Sequence, residues 1–112
     1  MLIYHLCRRA EWDEAARRGR YAGSSQDRAD GFIHFSTAET VKESAAKHRA
    51  GQAGLVLIAV EPDRLGHSLR WEAARGGKLF PHLYGELEFN HVKWVEDLPP
   101  GADGLHVFPP FD

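Results

Sequence analysis

A run of six apolar residues, Leu55-Val-Leu-Ile-Ala-Val60, constrains the fold of this chain more than any other segment. The run shows no alternation of apolar and polar residues, and it is rich in β-branched side chains. Such a run is typical of a strand that is covered on both faces. Because the chain has 112 residues, it has room for one hydrophobic core. We therefore predict a single domain, 1–112, built around this central strand.

The N-terminal half alternates between strand-like and helix-like patterns. Leu2–Cys7 alternates with period two, which predicts a strand with Tyr4 and His5 on opposite faces. Arg8–Arg18 has the spacing of an amphipathic helix, with Trp12, Ala15 and Ala16 on one face. The Gly-, Ser- and Asp-rich stretch 19–31 is predicted to be a loop, either over a site or as a plain connection.

A second strand and a second helix are predicted next. Gly31–Ser36 has the strand pattern, and Ser36-Thr-Ala-Glu39 matches the capping box that begins a helix. The helix is expected to run to about Ala50. Further strands are predicted at Ser68–Glu72, His82–Phe89 and Asn90–Val95, with an irregular surface strap from Leu98 onward. These patterns predict an α+β fold with a small, split, mixed β-sheet and two main helices.

Charge and composition limit the classes of partner. The net charge is −2 and the pI is near 6.4, so nothing in the bulk charge favours DNA, RNA or an anionic membrane. Arginines crowd the first quarter of the chain, which leaves RNA as a weak alternative to a solvated surface. Cys7 is the single cysteine, no signal-peptide pattern is present, and no apolar run could cross a bilayer. We expect a cytoplasmic protein without a membrane or DNA partner.

Histidines recur inside short strand-like runs. The runs are Tyr4-His5-Leu6, Phe32-Ile33-His34-Phe35-Ser36 and Pro81-His82-Leu83-Tyr84. In the last run, period two would place His82, Tyr84 and Glu86 on one wall, where they could bind a polar ligand or act as an acid–base pair. The alternative is a polar sheet face that is merely exposed to solvent.

Two other segments carry candidate ligand-binding residues. His34 lies among aromatic residues and next to Ser36, whose predicted helix start would offer an anion site; the alternative is a core histidine satisfied by hydrogen bonds. Trp71 and Glu72 could wall a pocket, although a structural ion pair between Glu72 and an arginine is equally consistent with the sequence. His5 taken alone is more typical of a core or sheet-edge histidine.

Motifs for metal, phosphate-loop or serine-hydrolase chemistry do not occur in the sequence. No two histidines have the spacing of a metal motif, so no metal is expected. A metal-assisted hydrolase could still arise if His5, His34 and His82 converged on folding. We keep this function as an alternative.

The order of several segments resembles the family called domain of unknown function 952. The segments are Ile3-Tyr-His-Leu6, Asp30-Gly-Phe-Ile-His-Phe-Ser-Thr37, Leu55-Val-Leu57, Leu69-Arg-Trp-Glu72 and Phe80-Pro-His-Leu-Tyr-Gly85. The resemblance spans almost the whole chain. It implies an ADP-ribosyltransferase-like fold, the group that also includes the NAD-using RNA 2′-phosphotransferases.

The resemblance also implies roles for individual residues. His5 matches a first-strand histidine that would touch the nicotinamide ribose of NAD, and Arg8 is the one arginine at a position expected for phosphate contact. Glu72 fits the family pattern of the functional carboxylate, whereas the family more often has proline at Glu86.

The implied function is a cleft for a nucleotide of the NAD or ADP-ribose type, with NAD as a candidate substrate and an ADP-ribosyl- or phosphotransferase-type reaction. In that reaction His5, His34 and Glu72 would be catalytic. A non-catalytic nucleotide- or anion-binding module is the alternative, and the oligomeric state is left open.

Overall fold

The computed structural model describes residues 1–111, with Arg75 described through its backbone only. Its strands and α-helices are β1 (Ile3–Arg8), α1 (Arg9–Arg18), β2 (Arg20–Tyr21), α2 (Ser25–Asp30), β3 (Ile33–His34), β4 (Ser36–Thr37), α3 (Val41–His48), β5 (Leu55–Val60), β6 (Leu69–Ala73), β7 (Leu79–Leu83), β8 (Leu87–Glu88) and β9 (Val92–Leu98). Short 3₁₀ segments lie at Pro62–Ser68, Arg75–Gly77 and Phe89–His91. The predicted α+β class is confirmed.

The main sheet has the strand order β4-β1-β5-β9. All six residues of β5 are buried, which confirms that the long apolar run forms a central strand. β1 pairs with β5 along its whole length, from Ile3 opposite Val60 to Arg8 opposite Leu55. β4 covers much less of β1, because its register with β1 includes only Ile3 and Tyr4.

Two hydrophobic cores lie on opposite faces of this sheet. The first core holds Ile3 and Cys7 of β1 together with Trp12 of α1. The second core holds Leu2 and Tyr4, with Val41 of α3 and, from the C-terminal strap, Phe108 and Phe111. The predicted alternation along β1 is therefore confirmed, and α1 and α3 lie on different sides of the sheet.

Smaller sheets complete the fold, with orders β3-β7-β6 and β2-β8. The expectation of a mixed sheet is wrong for residues 1–111, since every strand pair described there is antiparallel. Antiparallel neighbours can be joined by short connections such as the one between β6 and β7, whereas parallel neighbours need a long crossover. The split arrangement itself matches the prediction.

The stretch predicted as a loop, 19–31, contains β2 and α2. Ser24 caps α2: its side chain accepts a hydrogen bond from the Asp27 backbone, and the Asp27 carboxylate accepts one from the Ser24 backbone. α2 is a third α-helix beside the two that were predicted. It escaped prediction because it has six residues and Asp27 is its only buried one, so no apolar stripe marks it.

Two of the predicted strands are interrupted. Phe35 separates β3, which pairs with β7, from β4, which pairs with β1. The second break falls at 84–86, between β7 and β8. Gly85 has a φ of 158°, close to the extended range, so the break reflects a change of partner strand rather than backbone strain.

Within the described residues, no helix combines the length and apolarity that crossing a membrane requires.

Candidate functional site

A cleft of about 690 Å³ lies along the part of β1 that β4 does not cover. Of the predicted site residues, those that line it are His5, Arg8, His34, Ser36 and His82. Trp71, Glu72, Tyr84 and Glu86 do not line it. The structure thus brings together histidines that are far apart in the sequence, and it leaves the predicted carboxylates outside.

Asp27 of α2, itself part of the cleft lining, anchors His34 of β3. Its Oδ1 accepts hydrogen bonds from the His34 ring Nδ1, at 2.6 Å, and from the His34 backbone amide, at 3.1 Å. Its Oδ2 accepts from the Ser24 backbone amide and hydroxyl, at 2.8 and 3.0 Å. Burial alone would raise the pKa of Asp27, but the hydrogen bonds from His34 and Ser24 outweigh it and lower the pKa to about 2.

His5 supports this arrangement from inside the protein. Its Nδ1 lies 2.6 Å from the His34 carbonyl oxygen, which can only accept, so Nδ1 donates. In the neutral ring Nε2 then accepts from the Tyr21 hydroxyl at 2.8 Å. Burial lowers the pKa of His5, which favours the neutral form. With 2% exposure and both nitrogens engaged, His5 positions His34 more readily than it contacts a ligand.

A second carboxylate–imidazole pair joins β6 to β7. His82 Nδ1 donates to Glu72 Oε1 at 2.8 Å, and the Tyr84 hydroxyl donates to the same oxygen at 2.7 Å. These hydrogen bonds lower the pKa of Glu72. Glu72 reaches the cleft only through His82, and Trp71 is exposed on the opposite face of β6 because neighbouring strand residues alternate.

The two pairs face each other across neighbouring strands. His34 and His82 occupy partner positions in the β3–β7 register, and their ring centroids are 5.6 Å apart. Phe32 stacks on His82 at 4.1 Å and also contacts the His34 ring, at 4.6 Å. Both imidazoles are therefore held in place by a carboxylate on Nδ1 and by a shared aromatic neighbour.

The cleft has walls of different chemistry. Carboxylates come from α1 and α2, namely Glu11, Asp27 and Asp30. The other walls carry hydroxyl, imidazole and guanidinium groups. These are Arg8 at the end of β1, Ser36 in β4, Ser44 and His48 in α3, and Arg49 just after α3. His34 lies next to the acidic wall, where its Nε2 is 3.0 Å from Asp30 Oδ2.

The predicted role of Ser36 as a helix cap is wrong. Ser36 belongs to β4, and its hydroxyl donates to Ser44 Oγ at 3.3 Å. α3 begins later, after Thr40, because pairing with β1 holds Ser36 in an extended conformation. No helix start therefore lies at Ser36, and the anion site expected there has no such support, although Ser36 does line the cleft.

Glu86 is also misplaced by the sequence pattern. Because the strand breaks at Gly85, Glu86 does not share a wall with His82, and it accepts a hydrogen bond from Arg20 at 3.0 Å on the surface. The carboxylates of the cleft that sequence reasoning missed include Asp27, which holds His34. Its signal was present as Ser24-Ser-Gln-Asp27, the spacing of a helix-capping serine and its acidic partner.

No set of three His, Cys, Asp or Glu side chains among residues 1–111 is arranged to hold a metal ion. The alternative that His5, His34 and His82 bind a metal therefore finds no ligand set in the described part of the chain.

Comparison with known proteins gives a family and a set of solved structures. The model of the family described as "Protein of unknown function (DUF952)" matches residues 6–95. The chain is similar to the crystal structure of protein CC0527 from Caulobacter crescentus, with 52% identity, 96% of this chain and 94% of that chain covered, and a TM-score of 0.92. The solution NMR structure of CC0527 is 54% identical, with 93% and 90% covered and a TM-score of 0.84. No curated protein matches the sequence.

Proposed function

The chain belongs to the DUF952 family of proteins of unknown function, and from the geometry of its cleft we propose that it binds the ribose-phosphate part of a nucleotide of the NAD or ADP-ribose class. One observation carries this proposal. Carboxylates and guanidinium groups from separate elements line one cleft, with His34 and His82 beside them.

The chemistry of the walls suits such a ligand. Ribose hydroxyls donate hydrogen bonds, and Glu11 and Asp30 offer carboxylate oxygens to accept them. Phosphate oxygens accept, and Arg8 and Arg49 offer guanidinium donors with the bidentate geometry that phosphate favours. Since the walls carry both signs of charge, they favour a ligand with hydroxyls and phosphates over a bare polyanion.

The size of the cleft fits the proposal. At about 690 Å³ it falls within the range of roughly 300–1,000 Å³ that is common for small-molecule sites. Arg8 lies where the family resemblance implies an arginine, at the end of the first strand, and it lines the cleft.

Transfer of an ADP-ribosyl group is a step beyond binding, and the geometry supports it less. That reaction requires a carboxylate near the anomeric carbon, and Glu72 is held outside the cleft by His82 and Tyr84. An ADP-ribosyltransferase-like fold would agree with a ligand bound beside β1. Within such a fold, His34 rather than the buried His5 is the imidazole that would touch the ligand.

Calorimetric titration of the purified protein with ADP-ribose, NAD, adenosine and zinc chloride tests the proposal. We expect ADP-ribose and NAD to bind and adenosine, which lacks phosphate, to bind at least tenfold more weakly. Arg49→Gln should weaken ADP-ribose binding about tenfold, the loss of one charge-assisted contact. The matched control is Arg18→Gln, on the exposed side of α1.

Absence of ADP-ribose binding, or equal affinity in the Arg49→Gln and Arg18→Gln proteins, would overturn the proposal. Tight binding of zinc alone would favour the metal alternative instead.

A further inference from the structure

His34 and His82 form a matched pair of oriented imidazoles. Each ring gives Nδ1 to a carboxylate, His34 to Asp27 and His82 to Glu72. In both rings Nε2 is then the nitrogen that does not bond to this carboxylate, and both residues line the cleft. A carboxylate on one ring nitrogen fixes the tautomer and orientation of an imidazole, and this is how acid–base histidines are prepared.

The surroundings distinguish the two rings. His34 lies between two carboxylates, with Nε2 3.0 Å from Asp30 Oδ2 in addition to the Asp27 contact. Only the doubly protonated ring can donate to both, so His34 is arranged to give a proton. His82 has Phe32 stacked on it and Glu72 on Nδ1, which leaves Nε2 to accept a proton.

We infer that His34 and His82 are a general acid–base pair that cleaves a 3′-phosphodiester bond next to a ribose 2′-hydroxyl, in a ribonucleotide whose ribose and phosphate groups lie in the cleft as proposed above for ADP-ribose. This inference rests on the proposed nucleotide cleft and adds a reaction to it. Arg8 and Arg49, on the same cleft, are available to stabilise the charge that develops on the phosphoryl oxygens.

The reaction balances without a metal or a redox partner. His82 Nε2 takes the proton of the 2′-hydroxyl, and the 2′-oxygen forms a bond to phosphorus. The bond from phosphorus to the 5′-oxygen of the leaving nucleoside breaks, and that oxygen receives the proton of His34 Nε2. The products are a 2′,3′-cyclic phosphate and a free 5′-hydroxyl, and one proton has moved in effect from His34 to His82.

Asp30 must give up its contact with His34 when the substrate binds. Its side chain is 38% exposed at the rim of the cleft, so the leaving oxygen can replace it as the partner of Nε2. Asp27 and Glu72 act through the imidazoles and are positioning residues.

Two adenosine substrates with different leaving groups separate the two roles. The first is the dinucleotide ApA, whose leaving 5′-hydroxyl needs a proton, and the second is adenosine 3′-(4-nitrophenyl phosphate), whose nitrophenolate leaves without one. We expect the wild-type protein to convert ApA to cyclic 2′,3′-AMP and adenosine. His82→Gln should lose about 100-fold on both substrates, the usual contribution of a general base. His34→Gln should lose as much on ApA and far less on the nitrophenyl ester.

Controls use the same protein preparations. His67→Gln, at an exposed histidine outside the cleft, should keep wild-type rates. The loss in His82→Gln, purified in the same way, then excludes a contaminating ribonuclease. Glu72→Gln changes a side chain that is 38% exposed, so we expect the variant to fold. It should lower the rate on both esters while ADP-ribose affinity, measured by calorimetry, stays the same.

ADP-ribose binding without cleavage of either substrate would overturn the acid–base pair and leave the binding proposal intact. Absence of both ADP-ribose binding and cleavage in the wild-type protein would overturn both. Equal losses on the two substrates in His34→Gln would overturn the assignment of His34 as the acid.

Discussion

The two carboxylate–imidazole pairs of the cleft are built in opposite ways. In the Asp27–His34 pair the carboxylate side chain is 4% exposed and the imidazole 40%. In the Glu72–His82 pair the carboxylate is 38% exposed and the imidazole 10%. The first pair hides its charge in the protein and presents its ring, whereas the second buries its ring and leaves its charge in water.

The difference separates stability from positioning. A buried carboxylate is tolerated only when its oxygens are satisfied, and Asp27 accepts hydrogen bonds from both Ser24 and His34. Asp27 therefore ties α2 to β3 as well as orienting a ring. Glu72 joins neighbouring strands that already pair through their backbones, so the fold depends on it less.

The largest effect is expected from Asp27→Asn. An amide at this position removes the charge and places an NH₂ donor against Ser24 and His34, which also donate. We therefore expect the free energy of unfolding to fall by about 3 kcal/mol. Urea unfolding at pH 7, followed by circular dichroism, measures it.

Asp30→Asn is the matched control, since it removes a half-exposed carboxylate from the same His34 ring. Its loss should be below about 1 kcal/mol. Similar losses in the two variants would contradict the distinction between the buried and the exposed carboxylate.

A smaller effect is expected from pH alone. The pKa of Asp27 is lowered from 3.8 to about 2. The stabilisation is therefore fully present above the unfolded-state value and is lost as the pH falls through the folded-state value. A tenfold change in proton affinity corresponds to roughly 1.4 kcal/mol. Between about pH 5 and pH 2 the free energy of unfolding should therefore fall by about 2 kcal/mol more in wild type than in Asp27→Asn.

Urea midpoints of both proteins measured across that range check this expectation. If the difference between wild type and Asp27→Asn stays constant with pH, the charge on Asp27 does not account for its contribution.

The smallest effect is expected from Glu72→Gln. A glutamine oxygen can still accept from His82 or Tyr84 at the surface, so the urea midpoint at pH 7 should move little. A shift comparable to that of Asp27→Asn would show that the second pair also supports the fold, and the contrast between the pairs would fail.

Local patterns predicted the elements whose residues are buried in a regular way. The central position of β5 followed from Leu55–Val60, and the two faces of β1 followed from alternation. The same rule predicted Gly31–Ser36 as one strand, although the segment is divided between β3 and β4. Period two shows which residues share a face, but it does not show which strand each residue will pair with. Ile33 pairs with β7 and Ser36 with β1, a tertiary choice that no local pattern contains.

Among the described residues, the candidate site was predicted in three of its four imidazoles, all but His48, and in none of its carboxylates. Alternation and the family resemblance singled out His5, His34 and His82, and all three line the cleft. Two serines in the sequence are followed three residues later by an acid, at Ser24 and Ser36, and either could have begun a helix. Tertiary pairing selected the first, which placed Asp27 under His34.

Cys7 is a natural reporter of local opening in this protein. It is the single cysteine of the chain and is fully buried on the same face of β1 as His5. Burial raises the pKa of its thiol to about 12, and since the thiolate is the reactive form, a thiol reagent modifies it only when the first core opens. The rate of thiol modification therefore reports how often β1 and the first core open. A ligand that stabilises the closed state lowers this rate, so its binding can be detected with an unlabelled ligand.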